Sequence, residues 1–163
     1  MDRDNTEFST LYRRHSADVL RFAFWLCGHR ADAEDIAAET FVRAYAGADT
    51  LRAASAKAYL LTIARNLVLE RQRRHRPNDE LDDNTLDENA APDRHADAAQ
   101  SVRRTLTALA TLSEPDRAAL LLTSHDGLDY RAIALLLGLS LPAVKVRIHR
   151  ARLRLASALE KSS

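Results

Sequence analysis

The last predicted helix of this chain has a stripe of cationic side chains. Lys145, His149 and Arg152 recur every three or four residues, so they share one face of an α-helix. Such side chains bind phosphate oxygens and the acceptor atoms of base edges. The pattern therefore favours nucleic-acid binding over the alternative, a solvated amphipathic helix. Further cations flank the stripe at Arg147, Arg150 and Arg154.

The segment just before this helix supplies the other parts of a helix-turn-helix. Asp129 is the predicted N-cap of a short helix, and Gly138 is predicted to end that helix in the left-handed conformation. Ser140 is predicted to cap the second helix, whose first turn tolerates Pro142. In such a motif the second helix enters the major groove of DNA. Its inward face is predicted to consist of Leu141, Val144, Ile148, Ala151 and Leu155.

Composition and charge distribution indicate a helical protein with segregated charges. The 163 residues include only four Gly and four Pro, and Ala, Leu and Arg abound, so the predicted class is all-α with two small domains. The formal net charge is +1, but residues 1–50 carry −3, 51–77 carry +6, 78–100 carry −7 and 101–163 carry +5. Two basic blocks thus enclose an acidic one. Basic blocks attract the nucleic-acid backbone in a salt-dependent way.

Cysteine usage and hydropathy bear on the compartment. A single cysteine, Cys27, excludes an intramolecular disulfide and suits a reducing compartment. It lies in the apolar segment FAFWLC, which favours a buried structural thiol over a redox sensor. The start of the chain, MDRDNTEF, lacks the apolar run of a signal peptide, and no apolar stretch has the length of a membrane span. We therefore expect a cytoplasmic protein without a membrane-spanning segment.

Three amphipathic helices are predicted before residue 76. Apolar residues from Phe8 to Leu26 mark the first. Asp32 is predicted to cap the second helix and Ser55 the third, with residues 46–54 as a loop between them. The predicted inward positions are Ile36, Ala37, Phe41, Val42 and Tyr45 in the second helix, and Tyr59, Leu60, Ile63, Ala64 and Leu67 in the third.

An acidic, flexible linker is predicted at residues 77–98, because this stretch lacks a helical period and contains Pro92. It separates an N-terminal helical domain, residues 1–76, from a C-terminal domain, residues 99–163. The C-terminal domain contains the helix-turn-helix and, before it, two more helices. The first is marked by Val102, Leu106 and Leu109, and the second is capped by Ser113.

The order of these parts resembles the extracytoplasmic-function group of bacterial RNA polymerase sigma factors over nearly the whole chain. DAEDIAAETFVRAY, residues 32–45, is similar to the family helix that docks on the polymerase clamp. KAYLLTIARNLVLERQRR, residues 57–74, is similar to the helix that opens and reads the minus-ten element. ALATLSEPDRAALLL, residues 108–122, and the helix-turn-helix, residues 127–152, are similar to the domain that reads the minus-thirty-five element.

The resemblance implies a non-catalytic polymerase subunit that binds core RNA polymerase and promoter DNA without a metal or cofactor. It also adds an anti-sigma protein as a further partner. The residues implied for polymerase binding are Asp35, Glu39 and Arg43. Those implied for the minus-ten element are Tyr59, Arg65, Asn66, Arg71, Arg73 and Arg74. Those implied for the minus-thirty-five element are Lys145, Val146, Arg147, His149, Arg150 and Arg152.

Four positions bear on these assignments. Asn66 can exchange two hydrogen bonds with a base edge, and the alternative is an exposed polar helix position. Tyr59 stands where the family usually has Trp, and a core aromatic is the favoured interpretation there. Val146 replaces a common Ser and offers only apolar contact. Ala38 replaces a polar residue of the docking helix.

Three other classes of function are weighed against this one. A helix-turn-helix regulator that is not a polymerase subunit needs neither the docking helix nor the basic third helix. An enzyme would use His15, Cys27 and His29 as metal ligands, or His125 with Asp126 as an acid–base pair. The spacing fits no compact zinc pattern, and the sequence has no Gly-rich phosphate loop or nucleophile elbow. A module that binds a partner helix is disfavoured by the two basic blocks.

Overall fold

The computed structural model describes residues 2–47, 55–75 and 94–162. Within these ranges the chain forms seven α-helices and no strand, which confirms the predicted all-α class. Most of the predicted loop at residues 46–54 and most of the predicted linker lie outside the described residues. The helices are α1 Asp2–Cys27, α2 Arg30–Ala46, α3 Ala56–Arg74, α4 Arg94–Ala110, α5 Glu114–Ser124, α6 Tyr130–Leu137 and α7 Leu141–Lys161.

The helices pack in two groups around one continuous core. Helices α1, α2 and α3 contact one another, and α7 contacts α4, α5 and α6. Contacts of α1 with α5 and of α3 with α6 join the two groups. A single hydrophobic cluster therefore runs through both groups. Its fully buried members include Phe22, Leu26, Leu60, Leu122, Ile133 and Ile148.

Four helices begin at N-caps that the sequence predicts. The side chains of Ser55, Ser113, Asp129 and Ser140 each accept a hydrogen bond from the backbone N–H three residues on. Gly138 ends α6 in the left-handed conformation at φ +68°, and the next N–H donates to the carbonyl of Ala134 at 2.9 Å. The turn bends the chain by 98° between α6 and α7, which is the geometry of a helix-turn-helix.

No single helix in the described ranges is both long and apolar enough to cross a membrane. Helices α6 and α7 pass that test of length and composition only when they are counted together. A bend of 98° separates the two helices.

The start of α2 differs from its prediction. The predicted cap at Asp32 is wrong, because the N-cap is His29 and α2 begins at Arg30, three residues earlier than predicted. Gly28 turns the chain at φ +83°, which leaves His29 as an extended N-cap without a side-chain hydrogen bond. Asp32 lies in the first turn instead, where a carboxylate still interacts favourably with the helix dipole.

The inward face of α2 also differs. Val42 and Tyr45 are predicted to be buried, but their side chains are 61% and 63% exposed. The buried stripe is built largely from small residues, which let α2 approach its neighbours closely. One of them is polar, and the hydroxyl of Thr40 donates to the carbonyl of Ile36 at 2.7 Å. The buried residues of α2 are Ala33, Ile36, Thr40, Phe41 and Ala44.

The C-terminal end of the predicted linker is helical. Helix α4 begins at Arg94, so residues 94–98 belong to it. Residues 96–98 are exposed, so the two alanines among them mark no buried face that would reveal the helical period. Asp97 places a carboxylate in that turn, which suits the positive end of the helix dipole.

Candidate nucleic-acid and polymerase interfaces

Helix α7 presents its predicted DNA-reading face to solvent. Val144, Ile148 and Ala151 are buried against the rest of the C-terminal group, as predicted. The side of α7 opposite these buried residues is therefore exposed to solvent over about two turns. The residues exposed there are Lys145, Val146, His149, Arg150 and Arg152.

Arg147 of the same helix has a partner within the protein. Its Nη1 lies 2.9 Å from Oδ1 of Asp116, a residue of α5 that is only 5% exposed. A buried carboxylate is costly without a partner, so this ion pair fixes α7 against α5. Arg147 is thus less available to DNA than its exposed neighbours. This pair could not be predicted from the sequence, because 31 residues separate its members.

Helix α3 carries a line of three different polar side chains. Tyr59, Asn66 and Arg73 are spaced by seven residues, so they share one face at intervals of about 10.5 Å. Asn66 and Arg73 are exposed, and Tyr59 is half-buried with its hydroxyl donating to the carbonyl of Gly47 at 2.8 Å. An aromatic ring, an amide and a cation in a row are the groups that bind an unpaired strand.

The other predicted DNA-binding cations of α3 face elsewhere. Arg65 forms two hydrogen bonds of 2.8 Å with the carboxylate of Glu114 in α5. Arg71 lies 3.2 Å from Asp32 in α2, and Arg74 lies 3.1 Å from Glu70 one turn earlier. Six residues are predicted for the minus-ten element. The structure aligns Tyr59, Asn66 and Arg73 on one face of α3, and it places Arg65, Arg71 and Arg74 off that face.

A groove of about 440 Å³ lies between α2 and α3. It brings together Asp35, Glu39 and Arg43, the three residues predicted for polymerase binding. The groove also contains residues that the sequence did not indicate, above all the exposed Val42. The complete lining is Asp35, Ile36, Ala38, Glu39, Val42, Arg43, Leu67, Glu70, Arg71 and Arg74.

Ion pairs form on α2 and between α2 and α3 along this groove. Arg43 lies 3.2 Å from Glu39 on its own helix and 3.5 Å from Glu70 of α3. Arg71 of α3 lies 3.2 Å from Asp32 and 3.7 Å from Asp35 of α2. The groove thus has an exposed apolar side chain beside paired charges, and a partner can exchange these pairs for its own.

A cluster of ionisable residues lies between the two groups of helices. Lys57 of α3 donates to the backbone carbonyl of Asp126 at 2.9 Å, and its Nζ lies 3.6 Å from Asp18 of α1. Burial raises the pKa of Asp126 to about 6, although Lys57 opposes the shift, and Asp18 adds to it. Burial lowers the pKa of His15 and of His125 nearby. The side-chain oxygen Oδ2 of Asp126 is buried without a hydrogen-bond partner.

We predict that Asp126→Asn stabilises the protein above pH 6 but not near pH 4. The folded carboxyl group holds its proton more tightly than in the unfolded chain, where its pKa is 3.8. Its contribution to stability is therefore present at low pH and is lost as the pH rises through about 6. Thermal unfolding of both proteins from pH 4 to pH 8 measures the difference. A variant that melts below the wild type at pH 8 would contradict the prediction.

The enzyme alternative finds no support in these contacts. Burial raises the pKa of the Cys27 thiol, whose Sγ lies 3.4 Å from the carbonyl oxygen of His29. A protonated thiol is a poor metal ligand and a poor nucleophile. In the described part of the chain, no group of three or more His, Cys, Asp or Glu side chains is arranged to hold a metal ion. Asp126 interacts with Lys57 rather than forming a pair with His125.

Two protein families match the chain. The family described as Sigma-70 region 2 matches residues 11–77, and Sigma-70, region 4 matches residues 103–155. The first match contains α2, α3 and most of α1. The second contains the helix-turn-helix and α5.

Curated relatives cover most of the chain. The ECF RNA polymerase sigma factor SigL of Mycobacterium tuberculosis is 34% identical over 86% of this chain and 82% of its own length. The RNA polymerase sigma factor YlaC of Bacillus subtilis is 30% identical over 98% and 95%. The ECF RNA polymerase sigma factor SigE of Mycolicibacterium smegmatis is 34% identical over 94% of this chain, which spans only 62% of the length of SigE.

Solved structures share the fold. CnrH, in complex with the cytosolic domain of CnrY, superposes with a TM-score of 0.74 at 26% identity, covering 98% of this chain and 91% of CnrH. The sigma factor RpoE from Bartonella quintana, in complex with the anti-sigma factor NepR, gives 0.76 at 24% identity, covering 94% and 97%. The second likeness concerns the fold alone.

Proposed function

Because the chain belongs to the extracytoplasmic-function group of RNA polymerase sigma factors, we propose that three of its surfaces direct core RNA polymerase to promoters. One observation carries the proposal: each matched region presents an exposed surface suited to its task. The region 2 match contains the groove and the Tyr59–Asn66–Arg73 line, and the region 4 match contains the cations of α7. The chain itself supplies binding and positioning, without a catalytic step, a metal or a cofactor.

Core polymerase docks on the groove between α2 and α3. Val42 offers an exposed apolar contact in this groove, and Asp35, Glu39 and Arg43 offer charged ones. Charges at the rim of an interface act mainly on orientation and on partner choice, whereas the apolar centre excludes water. Docking there leaves the exposed line on α3 available to DNA.

The minus-ten element is read by α3 as an unpaired strand. Asn66 pairs with a base edge, Tyr59 offers a ring for stacking, and Arg73 holds a phosphate at the other end of the line. Arg74 lies off this line and pairs with Glu70, but it is 73% exposed and reaches the backbone by exchanging that partner. Arg65 and Arg71 reach DNA only by exchanging their present carboxylate partners for phosphates.

The minus-thirty-five element is read by α7 in the major groove. Lys145 and His149 lie one turn apart and contact base edges together with Arg150. Val146 adds an apolar contact, such as one to a thymine methyl group. Arg152 holds a phosphate, and Arg147 helps mainly by keeping α7 in place through Asp116.

The domain boundaries proposed for this function are residues 1–76 and 99–163, with residues 77–98 between them, of which 94–98 form the start of α4. The protein acts in the cytoplasm, where core polymerase and promoter DNA are found. An anti-sigma protein is a further proposed partner. This follows from family membership, and the similar chain of CnrH was solved together with another protein domain.

Promoter opening tests the role of α3. In a complex of core polymerase, this chain and promoter DNA, Asn66→Ala should slow melting, read by the fluorescence of a probe base in the minus-ten element. Initial binding to duplex DNA should change less. Gln72→Ala is the matched control, because Gln72 is exposed on the same helix and lies off the Tyr59–Asn66–Arg73 line. Melting by the Asn66 variant at the rate of the control would remove Asn66 from the site.

We predict that Arg150→Ala relaxes the base preference of the minus-thirty-five element at one position. A lost base contact costs about 1–3 kcal/mol, and the loss should appear only with promoters that carry the preferred base. Arg152→Ala should weaken all promoter variants alike and reduce the salt dependence of binding. Binding of the polymerase complex to a set of single-base promoter variants measures both effects. Equal weakening by Arg150→Ala across the set would make Arg150 a phosphate contact.

A helix-turn-helix regulator that is not a polymerase subunit is the alternative function. The region 2 match and the relatives that extend over both regions count against it. Copurification with core polymerase separates the two functions, because only a sigma factor needs the groove of α2 and α3.

A further inference from the structure

Arg65, a cation of the proposed DNA-binding helix, is occupied by the other half of the protein. Its Nε and Nη2 each lie 2.8 Å from one carboxylate oxygen of Glu114, at the start of α5. The two side chains are only 13% and 15% exposed. This two-point geometry is also the geometry in which a guanidinium holds a phosphate. Glu114 therefore occupies Arg65 in the way that the DNA backbone would.

Two further contacts hold the halves together. Lys57, at the start of α3, donates to the backbone carbonyl of Asp126 in the turn after α5. Arg117 of α5 donates to the carbonyl of Leu26 in the last turn of α1 at 2.9 Å. With the Arg65–Glu114 pair, these contacts link α1 and α3 to α5 and the turn that follows it. The packed arrangement is thus held by specific polar contacts as well as by the shared core.

The packed arrangement is too small to serve both promoter elements at once. The names minus-ten and minus-thirty-five place the two elements about 25 base pairs apart, which is roughly 85 Å at about 3.4 Å per base pair. A compact chain of this length has a radius of gyration of only about 15 Å. The halves must therefore part when both elements are bound. Residues 76–93 have enough chain to let them do so, because they span up to roughly 60 Å when fully extended.

We propose that the Arg65–Glu114 ion pair is an autoinhibitory latch, which holds the halves together and lowers the affinity of the uncomplexed chain for DNA. The proposal rests on the proposed function in one respect, the assignment of α3 to DNA. Opening the latch releases Arg65 for the DNA backbone and lets α7 move away from α3. In the open form the two halves are separate. Nonspecific binding to DNA is therefore weak until another partner favours the open form.

The test uses Glu114→Gln, which keeps the size of the side chain and removes its charge. Asp97→Asn is the matched control, because Asp97 is likewise a first-turn acid of a helix in the same half. Spin labels at Ala31→Cys in α2 and Ser157→Cys in α7, in a Cys27→Ala background, report the separation of the halves. Fluorescence anisotropy with a duplex at low salt reports DNA affinity without polymerase.

The wild type and Asp97→Asn should show one short label distance, and Glu114→Gln should add a longer population and bind DNA at least fivefold more tightly. Arg65→Gln should also open the protein but bind DNA no more tightly than the wild type, since it lacks the released cation. An unchanged distance in Glu114→Gln would overturn the latch. So would opening without a gain in affinity. The distance measurement involves neither DNA nor polymerase, so its result does not depend on the proposed function.

A second measurement avoids any change at the latch. Adding core polymerase to the labelled chain should replace the short distance by the longer one. Persistence of the short distance in a complex that transcribes would overturn the latch while leaving the proposed function intact. Circular dichroism of each variant confirms that its helices are formed.

Discussion

Glu39→Arg is expected to lower the affinity of this chain for core RNA polymerase about a hundredfold, or about 3 kcal/mol. Glu39 lies in the groove between α2 and α3, half-exposed and 3.2 Å from Arg43. The reversed charge would stand beside Arg43 and leave it without that partner. It would also repel any polymerase cation that pairs with Glu39 in the complex. An exposed ion pair alone is worth little, but like charges inside an interface cost several kcal/mol.

A control on the same helix isolates the role of the groove. Glu34 forms an equivalent pair with Arg30, four residues away at 3.3 Å, but it does not line the groove. Glu34→Arg should therefore bind core polymerase within about twofold of the wild type, although it removes the same kind of helix pair. Equal affinities of the two variants, measured by fluorescence with labelled protein, would remove the groove from the polymerase interface.

Arg117→Met is expected to lower the free energy of unfolding by about 3 kcal/mol or more. The guanidinium donates to three backbone carbonyls, those of Leu109, Leu112 and Leu26, at 2.9–3.1 Å. Its burial is deep enough to lower the pKa of the guanidinium. The carbonyl of Leu109 would keep the backbone N–H of Leu112 at 3.0 Å, but those of Leu26 and Leu112 would lose their donor, at a cost of about 1–3 kcal/mol each. Methionine fills similar space without offering a donor, so the lost hydrogen bonds dominate the change.

Urea unfolding followed by circular dichroism measures this effect. Arg103→Met is the matched control, because Arg103 is exposed on α4. We expect the control to stay within about 0.5 kcal/mol of the wild type, as is usual for surface substitutions. If Arg117→Met unfolds at the urea concentration of the control, the carbonyls of Leu26 and Leu112 do not depend on Arg117.

The helix ends could be predicted from the sequence where the determinants are local. Ser55, Ser113, Asp129 and Ser140 cap their helices within three residues, and Gly138 acts on its own backbone. These interactions do not depend on what lies across the fold. The helix-turn-helix is built from several of them, which is why its two helices and their turn were predicted correctly.

The inward face of α2 differs from its prediction because some of its large apolar residues are not the buried ones. Val42 and Tyr45 are exposed, whereas the small Ala33 and Ala44 and the polar Thr40 are buried. Which side of a helix is covered depends on the helices around it. Val42 is exposed in the groove proposed for polymerase, so its apolar character is better explained by a partner than by the core.

The partners of the cations could not be predicted from the sequence. Arg65 pairs with Glu114 across 49 residues, and Arg147 pairs with Asp116 across 31. A basic helix in isolation suggests that all of its cations are available to DNA. The fold assigns some of them to carboxylates, and those that stay exposed, such as Arg73 and Arg150, are the better candidates for DNA contacts.

Run-off transcription with purified core polymerase tests the central claim most directly. With genomic fragments as templates, core polymerase plus this chain should give transcripts that start at discrete positions, each preceded by shared minus-ten and minus-thirty-five sequences. Glu39→Arg should abolish these transcripts, and Glu34→Arg should preserve them. If the chain binds the same fragments but core polymerase starts no discrete transcript in its presence, the protein is a DNA-binding regulator and not a sigma factor.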